Sequence, residues 1–263
     1  MPTSVPRRRI WPVIRRIWAT LGIAGTVIFA GWSLLAYRAS DEAQAALVGD
    51  ARVVVTEEDR HWRFDPTETR ADVGLIFVPG ALVDPVAYAP LVRAAAMAGH
   101  PSVLLRIPRR GAFGGADDPA IPARIRAIME RREGPRRWVV AGHSRGGVIT
   151  TNLVATAPPP ALGGIILIGT SHPRDVSLAT LRLPVTKIIG TRDGLASLEE
   201  VEGNAHLLPP GTRWVRIEGG NHSQFGWYGF QPGDRRATIP ASEQRARTID
   251  AVLTALRESA MPR

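Results

Sequence analysis

Apolar runs and segments with helical apolar spacing alternate along the chain from about residue 50 onward. The run from Val73 to Val78, which lies between turn residues, is typical of a strand buried on both faces of a sheet. The segment from Ile121 to Arg132 instead repeats its apolar residues at helical spacing. This alternation predicts an α/β fold with a mostly parallel central sheet flanked by helices.

The same pattern gives approximate bounds for the other elements. Further strands are predicted at 52–56, 61–64, 102–106, 138–140, 164–168, 185–190 and 213–217. Further helices are predicted at 88–98, 148–157, 198–206 and 241–257, with a separate turn at 84–87. We expect the first two strands to form an antiparallel pair at one sheet edge. The sequence contains neither an internal repeat nor a glycine-rich dinucleotide-binding motif.

An uncharged apolar segment of a different kind lies near the N-terminus. Residues 17–37 contain no charge and would span roughly 30 Å as a helix, which is the thickness of a bilayer core. We interpret this segment as an uncleaved transmembrane signal anchor. A cleaved export signal with a small-residue site at 43–45 and a twin-arginine signal at 7–11 are the alternatives.

Arginines on the N-terminal side of this segment predict its orientation. Five arginines precede it, so the positive-inside rule places the N-terminus in the cytoplasm and the rest of the chain in the periplasm or outside the cell. The expected organisation is a basic cytoplasmic tail at 1–16, a membrane span at 17–37, a linker at 38–51 and one domain at 52–258.

The net charge of +9 does not indicate a nucleic-acid partner. The first forty residues hold six arginines and no acid, and the rest of the chain holds 27 basic against 24 acidic residues. That balance is ordinary for a soluble surface, so we expect no nucleic-acid binding. The chain has no cysteine, which excludes disulfides and thiol chemistry, and no spacing of histidines and carboxylates predicts a metal site.

A serine between glycines follows the predicted strand at 138–140. Ser144 has Gly142 two residues before it and Gly146 two residues after it, and a predicted helix follows. This arrangement is typical of a nucleophile elbow, a strained turn that exposes the serine hydroxyl above the sheet edge. The glycines are expected where side chains would collide with the neighbouring strand and helix.

Two loops after later strands offer the partners that a nucleophilic serine needs. Asp193 follows the strand at 185–190, and His222 follows the strand at 213–217. We predict His222 as the general base and Asp193 as the residue that orients it. His222 alone among the six histidines lies in a loop after the last strand, whereas His143 is expected to pack or hydrogen-bond. The rival acids are Asp175, Glu199, Glu200 and Glu202.

An oxyanion formed at the acyl carbon would need two preorganised N–H donors. The first predicted donor is the backbone N–H of Arg145, directly after the serine. The second lies in the loop after the strand at 73–78, where we choose the N–H of Ala81, with Leu82 as the alternative.

Four stretches together resemble the alpha/beta-hydrolase superfamily, over roughly residues 50–258. More narrowly, they are similar to its compact, lid-poor branch known as the alpha/beta hydrolase fold-5 type. The stretches are 77–91, 142–147, 190–194 and 219–226, of which the last continues into Gln231-Pro232-Gly233-Asp234. The resemblance implies a serine hydrolase that acts on carboxylic esters or related acyl compounds. Arg145 departs from it, since leucine or methionine is commoner at that position.

Three classes of function remain open at this stage. The first is a membrane-anchored serine esterase that works through an acyl-enzyme on a small-molecule acyl substrate, without a cofactor. The second is a peptidase, an acyltransferase or a cofactor-free peroxidase on the same fold, and the third is a non-catalytic binding protein. The short connection at 169–183 leaves no room for a cap domain, and 106–120 is the other candidate flap. With nearby arginines this predicts an open, cationic entrance that suits short or anionic esters.

Overall fold

The computed structural model describes residues 11–261, apart from the side chains of Ser33 and Leu34. The chain divides into two compact units, Met1–Ala36 and Tyr37–Arg263, which we call the N-terminal unit and the α/β unit. The first ten residues of the predicted basic tail, with the twin-arginine alternative, lie outside the described residues.

The N-terminal unit contains one long helix, α1, at Trp11–Ala36. Its 26 residues give a length of about 39 Å. The stretch from Trp11 to Trp32 is not buried, and among the described residues it is the only one long and apolar enough to cross a membrane, a criterion that an N-terminal signal sequence also meets. The helix therefore begins before the predicted span and ends one residue before it does.

The α/β unit contains eight strands and six further helices among the described residues. The strands are β1 at Val53–Glu58, β2 at His61–Pro66, β3 at Val73–Val78, β4 at Ser102–Leu105, β5 at Arg137–His143, β6 at Leu162–Ile168, β7 at Val185–Gly190 and β8 at Arg213–Ile217. The helices are α2 at Asp41–Ala45, α3 at Ala89–Met97, α4 at Ala120–Met129, α5 at Arg145–Thr156, α6 at Leu198–Gly203 and α7 at Ala241–Ala260.

All eight strands form one sheet in the order β1-β2-β4-β3-β5-β6-β7-β8. The pairs β1–β2 and β2–β4 are antiparallel, and every other pair is parallel. The expected antiparallel pair at the sheet edge and the mostly parallel sheet are therefore confirmed. Because β3, β5, β7 and β8 run in one direction, the loops at their carboxyl ends lie along the same edge of the sheet.

The core has one layer on each face of this sheet, which explains why the central strand β3 contains no polar side chain. In β3, Leu75 and Phe77 belong to the cluster that includes α3 and α7, whereas Ile76 and Val78 belong to the cluster that includes α4 and α5. All six residues of β3 are buried. The uninterrupted apolar run at 73–78 thus reflects burial on both faces.

Most element bounds agree with the sequence prediction, and the differences have local causes. Helix α5 begins at Arg145, three residues before the predicted start, because the chain turns sharply at Ser144. The predicted helix at 198–206 ends at Gly203 and continues as a short 3-10 helix at Ala205–Leu207. The predicted turn before α3 is a 3-10 helix at Pro85–Tyr88, capped by the Asp84 side chain.

The predicted linker at 38–51 lies within the α/β unit, which begins at Tyr37. Tyr37, which was expected to end the membrane span, is also buried there. The Ser40 N–H donates to the carbonyl of Trp227 at 2.8 Å, and Tyr37 accepts from the N–H of Asp84 at 2.9 Å. The alanines of the segment pack into the core, which their small size permits; they are Ala39, Ala43 and Ala46. The segment is therefore part of the folded unit.

We expect truncation to distinguish a linker from a structural segment. A chain that begins at Tyr37 should retain the unfolding temperature of the α/β unit, since no residue of that unit is removed. A chain that begins at Arg52 loses the buried segment, and we expect it to be less stable by about 3 kcal/mol, or about 10 °C. Thermal unfolding followed by circular dichroism measures both, and equal unfolding temperatures would contradict the assignment.

Candidate active site

The serine predicted as nucleophile lies between β5 and α5 in a sharply strained turn. Ser144 has φ 52° and ψ −118°, a left-handed backbone conformation that is uncommon for a residue with a side chain. Its N–H donates to the carbonyl of Ile168 at 2.9 Å, and its carbonyl accepts from Gly147 at the same distance. These bonds to β6 and α5 hold the strained conformation in place.

The glycines on either side of Ser144 lie where backbones come too close for a side chain. A Cβ on Gly142 would lie 2.2 Å from the carbonyl oxygen of Gly146. A Cβ on Gly146 would lie 2.1 Å from the carbonyl oxygen of Val78, at the end of β3. Both separations are far below van der Waals contact, so β3, β5 and α5 meet closely only because these two positions are glycine.

The structure brings Asp193 and His222 together in a buried pair. The Nδ1 atom of His222 lies 2.9 Å from Oδ2 of Asp193, and each side chain is 1% exposed. The other carboxylate oxygen, Oδ1, accepts from the N–H groups of Leu195 at 2.8 Å and Ala196 at 2.7 Å. Asp193 is therefore held on both sides, and its contact fixes the orientation of the imidazole. The four rival acids are all exposed.

Ser144 and His222 line one open cleft of about 200 Å³, which we call the cleft. With Nδ1 on Asp193, the imidazole presents Nε2, which has no hydrogen-bond partner among the described residues. Ser144 and His222 are thus not joined by a hydrogen bond here, as is common for catalytic pairs before substrate is present. The cleft is also lined by His172, Arg174 and Arg145.

The loop after β3 leaves one N–H without an acceptor. The N–H of Gly80 donates to the Tyr88 hydroxyl at 3.4 Å, and that of Leu82 donates to the carbonyl of Arg110 at 2.6 Å. The N–H of Ala81 between them has no acceptor among the described residues. The N–H of Leu82, the alternative donor, is therefore already bound to a carbonyl. This loop packs against the elbow, since a Cβ on Gly80 would lie 3.5 Å from the Ser144 Cβ.

The first predicted donor, the N–H of Arg145, is also without an acceptor among the described residues. Arg145 is the first residue of α5, and the first N–H groups of a helix have no partner one turn earlier. The same end of the helix carries a partial positive charge. The structure thus leaves the two predicted N–H donors, those of Ala81 and Arg145, unoccupied.

His143 packs and hydrogen-bonds behind the elbow, as expected from its position. Its Nδ1 lies 2.7 Å from the Tyr88 hydroxyl, and its ring centroid is 4.5 Å from that of His222. Burial, and then the charge of His222, holds the pKa of His143 well below its usual range. A neutral His143 adds no competing positive charge beside His222. Of the other histidines, His61, His100 and His206 are not among the residues lining the cleft.

The arginines around the cleft are paired with acids, which differs from the cationic entrance expected from the sequence. The Arg145 guanidinium forms an ion pair with Asp117. Arg174 contacts Glu200 at 3.1 Å and also donates to the Ser171 hydroxyl. The entrance is open as expected, but its positive charges are compensated.

Buried Lys187 supports one wall of the cleft. Its ammonium group donates to the carbonyl of His172 at 2.5 Å, and burial lowers the pKa of Lys187 to about 7. Burial also lowers the pKa of His172 itself. No group of three or more potential metal ligands lies together in the part of the chain that the structure describes.

Asp234 is a supporting residue to which sequence reasoning gave no role. Its Oδ1 accepts from the N–H of Gly194 at 3.0 Å and that of His222 at 3.3 Å. Its Oδ2 accepts from the N–H of Ser223 at 2.8 Å and from the Ser223 hydroxyl at 2.7 Å. One carboxylate therefore joins the loop of Asp193 to the loop of His222. The sequence motif at 231–234 contains Asp234, but the groups of the two loops that bind its carboxylate lie between 11 and 40 residues away in the sequence.

Gln244 of α7 supports the same loop from the other side. Its side-chain oxygen accepts from the N–H of Asn221 at 2.9 Å, and its amide group donates to the Asn221 carbonyl at 2.6 Å. Gln244 is fully buried, so these bonds satisfy a polar group that would otherwise be costly to bury. The only sequence signal for this role was a glutamine on the face of the predicted helix that carries its apolar residues.

A mostly parallel sheet of eight strands, with a serine at a strand-to-helix elbow, defines the α/β-hydrolase fold. A family model described as the alpha/beta hydrolase family matches residues 74–246, which is more than half of the chain. The chain belongs to the alpha/beta hydrolase family, and the resemblance noted in the sequence is confirmed. A search of curated proteins found no match.

Solved structures with the same fold include several esterases. TT1662 from Thermus thermophilus has a TM-score of 0.59 at 16% identity, over 81% of this chain and 100% of that chain. Esterase 2 of Thermogutta terrifontis, phosphonylated by sarin, has a TM-score of 0.57 at 15% identity, over 80% and 96%. The carboxylesterase CesB of Bacillus subtilis has a TM-score of 0.51 at 12% identity, over 70% and 90%. At these identities the similarity is one of fold.

We expect Asp234→Asn to slow the reaction of Ser144 with a fluorophosphonate probe by about tenfold, with the fold retained. The amide has one acceptor oxygen in place of two, and its NH2 group can only donate, so the loops of Asp193 and His222 lose part of their common support. Labelling rates measure this effect, and near-ultraviolet circular dichroism checks the fold. Asp175→Asn is the matched control, because Asp175 is exposed and lies outside both loops in the sequence. Labelling of Asp234→Asn at the parental rate would contradict the role.

Proposed function

We propose that this protein is a serine hydrolase that cleaves carboxylic esters of small molecules through an acyl-enzyme. The observation that carries the proposal is the cleft shared by strained Ser144 and His222, whose Nδ1 lies 2.9 Å from Asp193. A nucleophile, a base and a group that orients the base are the parts that acyl transfer requires. The esterase names of two structural relatives support the reaction class.

In the proposed mechanism, His222 Nε2 removes the proton of the Ser144 hydroxyl as its oxygen attacks the ester carbonyl carbon. The N–H groups of Ala81 and Arg145 stabilise the oxyanion of the tetrahedral intermediate. His222 then gives the proton to the leaving alcohol, and the acyl group remains on Ser144. Asp193 stays ionised and keeps the imidazole in the required tautomer.

Hydrolysis of the acyl-enzyme repeats these steps with water as the nucleophile. His222 removes a proton from the water, and the hydroxide attacks the acyl carbon. The same N–H groups stabilise the second tetrahedral intermediate. It collapses as His222 gives that proton to the departing Ser144 oxygen, which releases a carboxylic acid and leaves free Ser144 and neutral His222. An alcohol or amine in place of the water would make the enzyme a transferase.

The geometry of the cleft favours a small ester over an anionic one. The cleft has a volume of about 200 Å³, and its arginines are paired with acids, so no free cation there favours a carboxylate or phosphate substrate. We therefore expect neutral esters with short chains to be the better substrates.

A fluorophosphonate probe tests whether Ser144 is an activated nucleophile. We expect the full-length protein in detergent to be labelled, and Ser144→Ala not to be labelled, because the attacking oxygen is absent. His222→Ala removes the base and should slow labelling by at least about a thousandfold. Mass spectrometry identifies the modified peptide, and a folded parent protein without label would refute the proposal.

Acceptor assays then separate hydrolysis from transfer. With nitrophenyl butyrate as donor, we expect butyric acid as the product in the presence of alcohols or peptides. A butyryl alcohol or butyryl peptide as the main product would favour the transferase alternative. A peptidase would instead cleave amide substrates faster than matched esters.

For the location, we propose that α1 crosses the membrane once and that the catalytic unit lies in the periplasm or outside the cell. The apolar helix and the arginines before it support this orientation. We expect alkaline phosphatase fused after Arg263 to be active and a cytoplasm-dependent reporter at the same position to be inactive. The opposite pattern would overturn the orientation, and a mature N-terminus after residue 37 would show cleavage instead of anchoring.

A further inference from the structure

The backbone of Arg145 belongs to the elbow, and its side chain makes a separate contact with Asp117. The Arg145 side chain leaves the start of α5 and forms an ion pair with Asp117, which ends a short 3-10 helix at Gly115–Asp117. The pair thus connects the residue directly after Ser144 to the segment at 106–118. The Arg145 and Asp117 side chains are 40% and 66% exposed.

A second cavity lies on the other side of Arg145. It has a volume of about 260 Å³, and its apolar walls come from Ala116, Val148 and Ile149 together with Pro119 and Pro122. Arg145 and Val148 line both this cavity and the cleft that contains Ser144. The two spaces therefore adjoin at Arg145, and Asp117 also lies in the wall of the second one.

The ion pair can open without a change in the backbone. An exposed pair of this kind shifts an equilibrium by less than about fivefold, and both side chains have room in solvent. The segment that carries Asp117 is itself firmly packed, since a Cβ on Gly115 would lie 2.0 Å from the carbonyl oxygen of Pro108. Asp117 also donates its N–H to the carbonyl of Gly114 at 3.0 Å. Opening therefore requires rotation of the Arg145 and Asp117 side chains alone.

We propose that the Arg145–Asp117 ion pair is the end wall of the substrate cleft and limits the length of one ester chain. The inference rests on the proposed function and adds a specificity-determining pair to it. While the pair is closed, a chain that extends from the carbonyl at Ser144 meets the guanidinium. Once the pair is removed, the chain continues into the second cavity and contacts its apolar walls.

The direction of the effect follows from the apolar walls of the second cavity, and its size follows from the ion pair. Burial of one methylene group changes binding by a factor of about four. An octanoyl chain has four more methylenes than a butyryl chain, so burial in the open cavity favours it. In the parent the chain must first open the ion pair, which costs a factor of about two to five, and removal of the pair should return that factor. The oxyanion donor is unaffected by the side chain, since Arg145→Ala retains the backbone N–H.

The experiment compares chain-length profiles of the full-length protein and its variants in one detergent. We measure kcat/KM for nitrophenyl butyrate and octanoate, and for butyl and octyl acetate, so that either ester chain can respond. For Asp117→Ala and for Arg145→Ala, the long-to-short ratio of one series should rise about two- to fivefold, which is the factor that the closed pair costs the longer chain. The double variant should have the same ratio as the single variants, because both open the same wall.

Asp118→Ala is the matched control. It removes one negative charge from the wall of the same second cavity but leaves the ion pair intact. We expect its ratios to equal those of the parent. If Asp118→Ala raises the ratio as much as Asp117→Ala, the effect is one of general charge, and the proposal is overturned.

Salt provides a second readout that needs no substitution in the parent. Because salt screens exposed charges, raising the ionic strength should increase the long-to-short ratio of the parent but leave that of Asp117→Ala unchanged. If the variants are labelled by the fluorophosphonate at the parental rate and their ratios are unchanged in both ester series, the end-wall proposal is overturned and the proposed function stands. A parent protein without labelling and without ester hydrolysis would overturn the proposed function as well.

Discussion

The close contact of three backbone segments at the elbow sets the positions of Ser144 and of the two unoccupied N–H groups beside it. The carbonyl of Val78 reaches Gly146, and the carbonyl of Gly146 reaches Gly142, at separations that leave no room for a Cβ. This contact brings the end of β3, and hence the loop with Ala81, next to the start of α5. It also forces Ser144 into its left-handed conformation, which places strain where the hydroxyl must be exposed.

Hydrogen bonds from outside the proposed triad hold the other half of the site. Asp234 joins the loops of Asp193 and His222, and Gln244 binds both backbone groups of Asn221. These contacts hold both loops in place, whereas Nε2 of His222 has no hydrogen-bond partner among the described residues. The site is therefore preorganised, so little reorganisation is needed when charge develops during a reaction.

Ion pairs compensate the charges of the two arginines that line the cleft. The arginines that line the cleft are held by neighbouring acids, Arg145 by Asp117 and Arg174 by Glu200. The arginine at the position after the nucleophile therefore has a steric consequence, because its extended side chain separates the cleft from a second apolar cavity. In the proposed end wall, the departure from the family pattern at Arg145 concerns substrate length more than substrate charge.

The sequence by itself determined the strand and helix order, the elbow at Ser144 and the loops that carry Asp193 and His222. These features are encoded locally, by apolar periodicity, by glycines at fixed spacing and by the order of strands. Only the tertiary structure decided that Tyr37 and Ala43 belong to the core, that Leu82 is occupied as a donor and that Asp234 joins two loops. Each of these depends on partners far away in the chain, and the periodicity of a segment contains no information about such partners.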